Sequence, residues 1–172
     1  MRVDWDGPFS LSEARELNNE TDRGLYQIYV HHPVYGPGVL SYIGLTCDQT
    51  FSAEIVAKDW GGASENDPKN VQVYVGRLKY DVPPIQNEWK RDVRIAERLL
   101  IHAHGPGYNS TNIMLVSESD PDICNARVLN IGAVRALHRE VSGLMWTSEH
   151  DRRFRGFVPF RDDNRGAFQD SM

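Results

Sequence analysis

The sequence predicts a mixed α/β domain, and length, composition and periodicity together carry that prediction. The chain has 172 residues, the size of a single domain with a substantial core. Hydrophobic residues make up 40% of it and charged residues 25%, which is typical of globular proteins. Stretches that alternate like strands are interspersed with stretches of helical periodicity. We therefore expect a small antiparallel or mixed sheet of three or more strands, flanked by helices.

The first half of the chain predicts a helix, a β-hairpin and a second helix. Residues 11–19 follow a serine that can cap a helix, and a polar stretch ends them. Residues 25–30 and 39–43 are rich in β-branched and aromatic side chains, and a Pro/Gly-rich loop separates them. Residues 51–60 place apolar side chains at helical spacing before a Gly-Gly break.

The second half predicts a third strand followed by the longest helix. Residues 71–78 alternate cleanly, and a Pro-Pro pair comes shortly after them. Residues 85–103 carry a sustained apolar stripe that ends at a Gly-Pro-Gly break. Beyond this helix, residues 112–117 and 126–131 are expected to be extended, and residues 134–141 either pair with them or turn helically.

These elements divide the chain into four predicted segments. Residues 1–23 lead into the core, residues 24–117 form the core, residues 118–150 form a C-terminal extension packed on it, and residues 151–172 form a polar tail. No stretch approaches the roughly 18 apolar residues that a membrane-spanning helix needs.

The start of the chain and its cysteines bear on the compartment. Asp4 and Asp6 stand where a signal peptide would place basic and then apolar residues, so we expect a cytoplasmic chain. Cys47 and Cys124 lie far apart without metal-ligand spacing, which predicts buried thiols and neither a disulfide nor a zinc site. The net charge of −5 argues against non-specific coating of nucleic acid but is compatible with a local basic groove.

Four short motifs occur in a specific order along the predicted core. They are Gly-Leu-Tyr at residues 24–26, Tyr-Ile-Gly at residues 42–44, Glu97 on the long helix, and Pro-Gly-Tyr-Asn at residues 106–109. On this ordered set the chain resembles the GIY-YIG nucleases over residues 24–109, about half its length. In that family the two tyrosines lie on hairpin strands, and a later helix carries a metal-binding glutamate just before the asparagine turn.

The resemblance implies hydrolysis of nucleic-acid phosphodiester bonds, with DNA as the expected substrate. It implies that Glu97 holds one divalent ion, Mg²⁺ or Mn²⁺, against the scissile phosphate. Tyr26 is then expected beside the attacking water and helps to deprotonate it, while Tyr42 orients water or substrate. Asn109 is expected either to buttress the site or to contact the substrate backbone.

Each of these residues also has an ordinary structural interpretation. Tyr26 and Tyr42 suit any half-buried strand, and Asn109 tolerates a left-handed turn. Glu97 on its own would be read as a solvated helix carboxylate. It lies beside the apolar stripe of its helix, however, and a carboxylate there needs a partner or a metal.

One element of the family pattern is missing. Family members usually carry an arginine on the helix after Tyr-Ile-Gly, where a fixed cation stabilises charge on the phosphate. Here that position falls at Glu54, or at Ser52 by a strict count from the glycine. Lys58, one turn after Glu54, is the expected substitute cation or base, unless the two form a plain surface ion pair. Arg77 and Arg98 are further candidates for binding the substrate.

The sequence therefore leaves three functions open. The first is an active metal-dependent endonuclease, and the second is a catalytically impaired pseudo-nuclease that binds nucleic acid or a protein. The third is a protein-interaction module, which only the net negative charge favours. What separates the first from the others is whether a cation other than the missing arginine converges on Tyr26, Tyr42 and Glu97.

Overall fold

The fold combines a six-stranded mixed sheet with several helices, as the predicted fold class requires. The computed structural model describes residues 1–32, 34–58, 60, 70–112 and 120–146. Most of the extended segment predicted at residues 112–117, and the whole predicted tail at residues 151–172, lie outside the described residues. Within them, no helix is both long and apolar enough to cross a membrane.

The sheet joins elements from both ends of the described chain. Its strands are β1 (Arg2–Phe9), β2 (Gly24–His32), β3 (Gly36–Thr46), β4 (Gln72–Lys79), β5 (Arg127–Gly132) and β6 (Glu140–Ser142). Their spatial order is β3-β2-β4-β1-β5-β6. All neighbours are antiparallel except β1 and β5, which run parallel. The predicted strands at residues 25–30, 39–43, 71–78 and 126–131 are confirmed.

The helices differ in length from their predictions. They are α1 (Leu11–Ala14), α2 (Phe51–Val56), α3 (Gln86–His104) and α4 (Pro121–Cys124), followed by a 3₁₀ turn at Gly143–Trp146. The prediction for α3 is confirmed, whereas α1 and α2 are shorter than predicted. Ser10 and Glu13 form a capping box that fixes the start of α1. Thr50 caps α2 through its hydroxyl alone, which accepts a hydrogen bond from the Ala53 N–H.

Strand β1 is the largest difference from the sequence analysis, which predicted no strand before residue 24. It lies between β4 and β5 in the middle of the sheet. Val3 and Trp5 are buried and alternate with Arg2, Asp4 and other polar residues, so the period of a half-buried strand is present. The indole N–H of Trp5 donates to the side chain of buried Asn130 at 2.9 Å, which ties β1 to β5.

Two hydrophobic clusters cover the sheet. Consecutive residues of β2 belong to different clusters. Leu25 belongs to the cluster that contains the apolar stripe of α3. Tyr26 belongs to the cluster that contains Phe51 and Ile55 of α2. Because side chains alternate along a strand, α3 and α2 cover opposite faces of the sheet. β3 forms one edge of that sheet, and residues from both helices come close to its end.

Candidate functional site

The two tyrosines of the motifs pack against each other over a glycine. Tyr26 on β2 lies directly opposite Gly44 on β3, and Tyr42 is two residues before Gly44 on the same face. The rings are stacked with centroids 5.9 Å apart. A Cβ atom at Gly44 would lie 2.5 Å from the Tyr26 hydroxyl and 2.6 Å from the Tyr42 ring. Only glycine leaves room for both rings at this position.

Lys58 brings a cation to these two phenols. It follows α2 closely, and its Nζ donates to the Tyr26 hydroxyl at 2.7 Å and to the Tyr42 hydroxyl at 3.5 Å. The same nitrogen lies 5.4 Å and 5.0 Å from the centroids of the two rings, within cation–π range. A lysine one turn after Glu54 therefore brings a positive charge to both phenols.

Trp60 completes an aromatic enclosure around this ammonium. Its ring centroid lies 6.0 Å from Lys58 Nζ and 5.3 Å from the Tyr42 ring. Its indole N–H donates to the Ile55 carbonyl at 2.7 Å, which fixes the ring against α2. The apolar spacing of residues 51–60 predicted Trp60 as part of a helix, whereas α2 ends at Val56. An aromatic residue two positions after Lys58 was the available signal for this contact.

Glu54 faces the same ammonium from one turn earlier. Its Oε1 lies 2.8 Å from Lys58 Nζ, and both side chains are partly buried. Burial acts to lower the pKa of Lys58, but the hydrogen bond to Glu54 and the neighbouring Tyr42 outweigh it and leave the pKa raised. Lys58 is thus a fixed cation at neutral pH and unsuited to act as a base, although Glu54 offsets part of its charge.

The Tyr26 hydroxyl is held as a neutral phenol. The residue is fully buried, and burial is the main reason that its pKa is raised above the usual value, with Tyr42 and Glu54 adding to the shift. Tyr42, in contrast, is partly exposed. Solvent and any substrate therefore reach Tyr42 and Lys58 before they reach Tyr26.

Glu97 supplies the carboxylate of the site from α3. Burial raises its pKa to about 7, and the opposing influence of Lys58 and Arg98 does not cancel that effect. The side chain is partly buried, and no hydrogen bond from the described residues contributes to its titration. A carboxylate in this state is close to half protonated at neutral pH, and it gains from any cation that replaces its proton.

A single carboxylate suits a hard cation that keeps most of its own waters. No group of three or more His, Cys, Asp and Glu side chains is gathered for a metal within the described ranges. Mg²⁺ commonly binds through one or two carboxylates and completes its shell with waters and substrate phosphates. The desolvated oxygen ligand at Glu97 fits that kind of ion, although it would not select a metal by itself.

Asn109 holds the edge of the sheet that carries Tyr42. Its Nδ2 donates to the Ile43 carbonyl at 2.8 Å, and its Oδ1 accepts from the Ile43 N–H at 3.0 Å. The neighbouring Tyr108 N–H donates to the Ser41 carbonyl at 2.8 Å. Because both polar atoms of the buried Asn109 amide are used in this way, the geometry favours buttressing over contact with a substrate.

Arg77 and Arg98 are engaged away from the tyrosines. Arg77 pairs with Asp22 at 2.5 Å, and its guanidinium lies 5.5 Å from the centroid of the Phe51 ring. Arg98 pairs with Asp120 at 3.3 Å, although it is close enough to Glu97 to lower that pKa. Of the candidate cations, the structure brings Lys58 alone to the phenols within the described part of the chain.

The arrangement thus combines two phenols, one ammonium and one desolvated carboxyl at the β3 end of the sheet. Comparison with protein-family models, with curated proteins and with solved structures found no match to this chain. The groups present can stabilise a polyanion, orient a water molecule and hold a divalent cation.

Proposed function

We propose that this chain is a metal-dependent endonuclease of the GIY-YIG type that hydrolyses DNA, with Lys58 in the role of the family's arginine. One observation carries the proposal: Lys58 Nζ lies 2.7 Å from the Tyr26 hydroxyl and 3.5 Å from the Tyr42 hydroxyl. The absence of the arginine is the main argument against activity, and this contact supplies a fixed positive charge at the two tyrosines of the motifs.

In this proposal some residues bind the phosphate and others orient or position the reacting groups. Lys58 stabilises negative charge that develops on the phosphate oxygens, because its surroundings keep it protonated. Tyr42, which is partly exposed, orients the attacking water or the phosphate. Tyr26 is buried and acts as a positioning residue that fixes the Lys58 ammonium. Asn109 holds β3, and therefore Tyr42, in place.

Glu97 would hold the divalent ion, Mg²⁺ or Mn²⁺. When bound, such an ion polarises a phosphoryl oxygen and lowers the pKa of a coordinated water. Glu97 must lose its proton to act as a ligand, and because burial raises its pKa to about 7, metal binding should strengthen as the pH rises through that value. The Lys58 ammonium is close enough to lower the pKa of Glu97, which supports assigning both charges to one site.

A second function, a pseudo-nuclease that binds nucleic acid or protein without cutting, is favoured by two different observations. Glu54 lies 2.8 Å from Lys58 Nζ and partly neutralises it. Tyr26 is fully buried, which removes its hydroxyl from direct contact with a substrate. Both features weaken a catalytic site but are compatible with a binding surface.

The experiment that tests the proposal is cleavage of supercoiled plasmid DNA with Mg²⁺ or Mn²⁺. We expect nicking by the unaltered protein, at least 100-fold slower nicking by Lys58→Met and by Glu97→Gln, and normal nicking by Glu88→Gln. Glu88 is a matched control because it lies on the same helix as Glu97 but is exposed. Tyr26→Phe is expected to reduce nicking less than Lys58→Met, because it removes only a positioning contact.

The possible outcomes separate the two functions. Nicking that survives both Lys58→Met and Glu97→Gln overturns the assigned site. Metal-independent retention of DNA without any nicking supports the pseudo-nuclease.

A further inference from the structure

A cleft of about 510 Å³ opens beside the start of α3, away from the tyrosines. It lies between the end of β4, the first turn of α3 and the turn that precedes β2. Its lining is rich in basic and aromatic side chains, namely Arg23, Arg77, Lys79 and Trp89. Glu20 is the acidic residue among the lining side chains. The proposed function assigns no role to this cleft.

Arg23 is the least satisfied of these cations. Its Nε is buried and has no hydrogen-bond acceptor within the described part of the chain. Arg77, in contrast, is paired with Asp22. Lys79 is half exposed and only 3.6 Å from Asp4, a loose surface pair. A buried guanidinium donor without an acceptor is costly. Because Arg23 lines the cleft, rotation of its side chain toward the cleft would let a ligand oxygen satisfy this donor.

The start of α3 adds to the positive character of the cleft. The helix has 19 residues, and Ile85 at its N-cap provides no side-chain hydrogen bond to the first turn. The N-terminal backbone N–H groups of such a helix carry partial positive charge. Gln86, the first helical residue, lines the cleft. Glu88 in the same turn opposes this charge but is exposed and does not line the cleft.

A line of cations connects the cleft to Glu97 along α3. Lys90 and Arg94 precede Glu97 by seven and three residues, which puts all three on one side of the helix. Lys90 pairs with Asp48. The hydrogen bond from Lys90 is the main reason that the pKa of Asp48 is lowered, and Arg94 and Arg23 contribute as well. Lys90 therefore contacts Asp48 directly, and Arg94 and Arg23 lie near enough to act on the same carboxylate.

The distances suit a nucleic-acid strand. Seven residues of α-helix span about 10 Å, so Lys90 lies within a few phosphate spacings of Glu97. A cleft of this volume can take one nucleotide. Arginine contacts phosphate through a planar fork of donors, and an aromatic ring such as that of Trp89 provides a surface on which a base stacks.

We propose that this cleft binds the nucleic-acid strand next to the cleavage site, with Arg23 and Lys79 on its phosphates and Trp89 against a base. The inference rests on the proposed action on nucleic acid, and it adds the direction in which the strand leaves Glu97. The strand follows the side of α3 marked by Arg94 and Lys90 and reaches the cleft at the start of the helix.

The test is a binding measurement that does not depend on cleavage. The anisotropy of a labelled single-stranded DNA oligonucleotide is followed with EDTA present, in the Glu97→Gln background. The double variant Arg23→Gln/Lys79→Gln is compared with the control Arg91→Gln/Arg139→Gln. Both pairs remove two positive charges, but Arg91 and Arg139 are exposed and do not line the cleft. Circular dichroism melting verifies that the Glu97→Gln parent and each variant made from it are folded.

We expect the cleft variant to bind at least 10-fold more weakly at low salt, with the salt slope of log Kd reduced by about 1.4, as for two lost phosphate contacts. The control should lose less than threefold. Trp89→Leu should weaken binding several-fold without a change in the salt slope, because stacking releases no counterions.

Other outcomes overturn the inference without deciding the proposed function. Equal losses in the cleft variant and the control would show a diffuse electrostatic effect and no site. Displacement of the oligonucleotide by polyglutamate as effectively as by unlabelled DNA of equal charge would identify an acidic peptide as the ligand. If nicking depends on Glu97 but the cleft variant binds the oligonucleotide as tightly as its parent, the nuclease proposal stands and the cleft has no part in binding the strand.

Discussion

The amide of Asn109 pairs with both backbone groups of Ile43, as the backbone of a neighbouring strand would. This contact closes β3 at the sheet edge, next to Tyr42 and Gly44. An edge strand whose N–H and C=O groups are satisfied by a side chain is protected against sliding or pairing elsewhere. The asparagine turn is therefore coupled directly to the two tyrosines.

Asn109→Ala is expected to destabilise the protein by roughly 2–3 kcal/mol, because two buried hydrogen bonds are lost and the Ile43 groups are left without partners. Urea unfolding measures this difference. Asn87→Ala serves as the control, since Asn87 is exposed on α3. Asn109→Asp should be at least as destabilising as Asn109→Ala at neutral pH, because it buries a carboxylate against the Ile43 carbonyl. Equal midpoints for Asn109→Ala and the control would contradict the edge-closing role.

Gly44→Ala is expected to cost more than about 2 kcal/mol, because the added methyl group overlaps both tyrosine rings. Gly107→Ala is the control, since a Cβ atom there meets nothing within 4 Å. Combining Gly44→Ala with Tyr26→Phe should recover part of the loss by removing the hydroxyl that the methyl group meets. A double-mutant cycle by urea unfolding gives the coupling, and strict additivity of the two changes would argue against the overlap.

Glu54→Gln is expected to raise the nicking rate severalfold in Mg²⁺, because it removes the negative charge that faces Lys58. The change should have no effect in a Lys58→Met background, since the carboxylate then has no cation to offset. Plasmid nicking by the four combinations measures this dependence. An increase that persists without Lys58 would indicate that Glu54 acts on the substrate directly.

Glu97→Gln is expected to stabilise the metal-free protein at pH 8 by up to about 3 kcal/mol. The folded pKa of Glu97 is raised to about 7 from an ordinary 4.5. The unfolded chain therefore ionises first, and the unaltered protein loses stability as the pH rises from about 4.5 through 7. Urea midpoints of the two proteins in EDTA should diverge across that window and then run parallel. Coincident curves would show that burial does not perturb this carboxyl.

His104 gives a pH dependence of the opposite sign. Its Nδ1 lies 2.8 Å from the Leu100 carbonyl, and its Nε2 accepts from the His138 N–H at 2.9 Å, so the ring is held neutral. Burial lowers its pKa. The unfolded chain then binds a proton first, and stability is lost as the pH falls below about 6.5, before it levels off beneath the folded pKa.

A His104→Gln variant should lack this loss of stability as the pH falls below about 6.5. The comparison is the slope of the urea midpoint against pH, with His31→Gln in the hairpin as the control. An identical slope in His104→Gln and the unaltered protein would assign the acid sensitivity to another group.

The sequence predicted the fold class and most of the central elements because their signals are local. α3 was found from the apolar period of residues 85–103, and the hairpin from its composition and its Pro/Gly loop. β1 was missed although Val3 and Trp5 alternate with polar residues. Its partner strands β4 and β5 lie about 70 and 125 residues further along the chain, so nothing near residue 5 indicates a central position in the sheet.

In the candidate site, too, the features with a local sequence signal were predicted and those that depend on distant residues were not. The motif spacing predicted which strands carry Tyr26 and Tyr42, and one helical turn separated Lys58 from Glu54. The direction in which a long lysine or arginine side chain points depends on partners that are distant in sequence. Arg77 lies on β4 next to β2, but Asp22 takes its guanidinium. Trp60 was read as an apolar residue because its packing against Tyr42 depends on how the chain turns after α2.

The central position of β1 has a consequence for how the molecule assembles. β1 is the only strand that joins β4 to β5, so without it the described sheet falls into a β3-β2-β4 part and a β5-β6 part. During synthesis β1 leaves the ribosome before both of its neighbours, so it has no partner in this sheet until β4 is made, and its parallel partner β5 appears later still. The pairing of the central strand β1 with β4 and β5 therefore comes late in assembly. Because these contacts join residues that are far apart in sequence, this step is expected to be slow. A chain that pauses before residue 127 exposes one side of β1 to chaperones or to another copy of the protein.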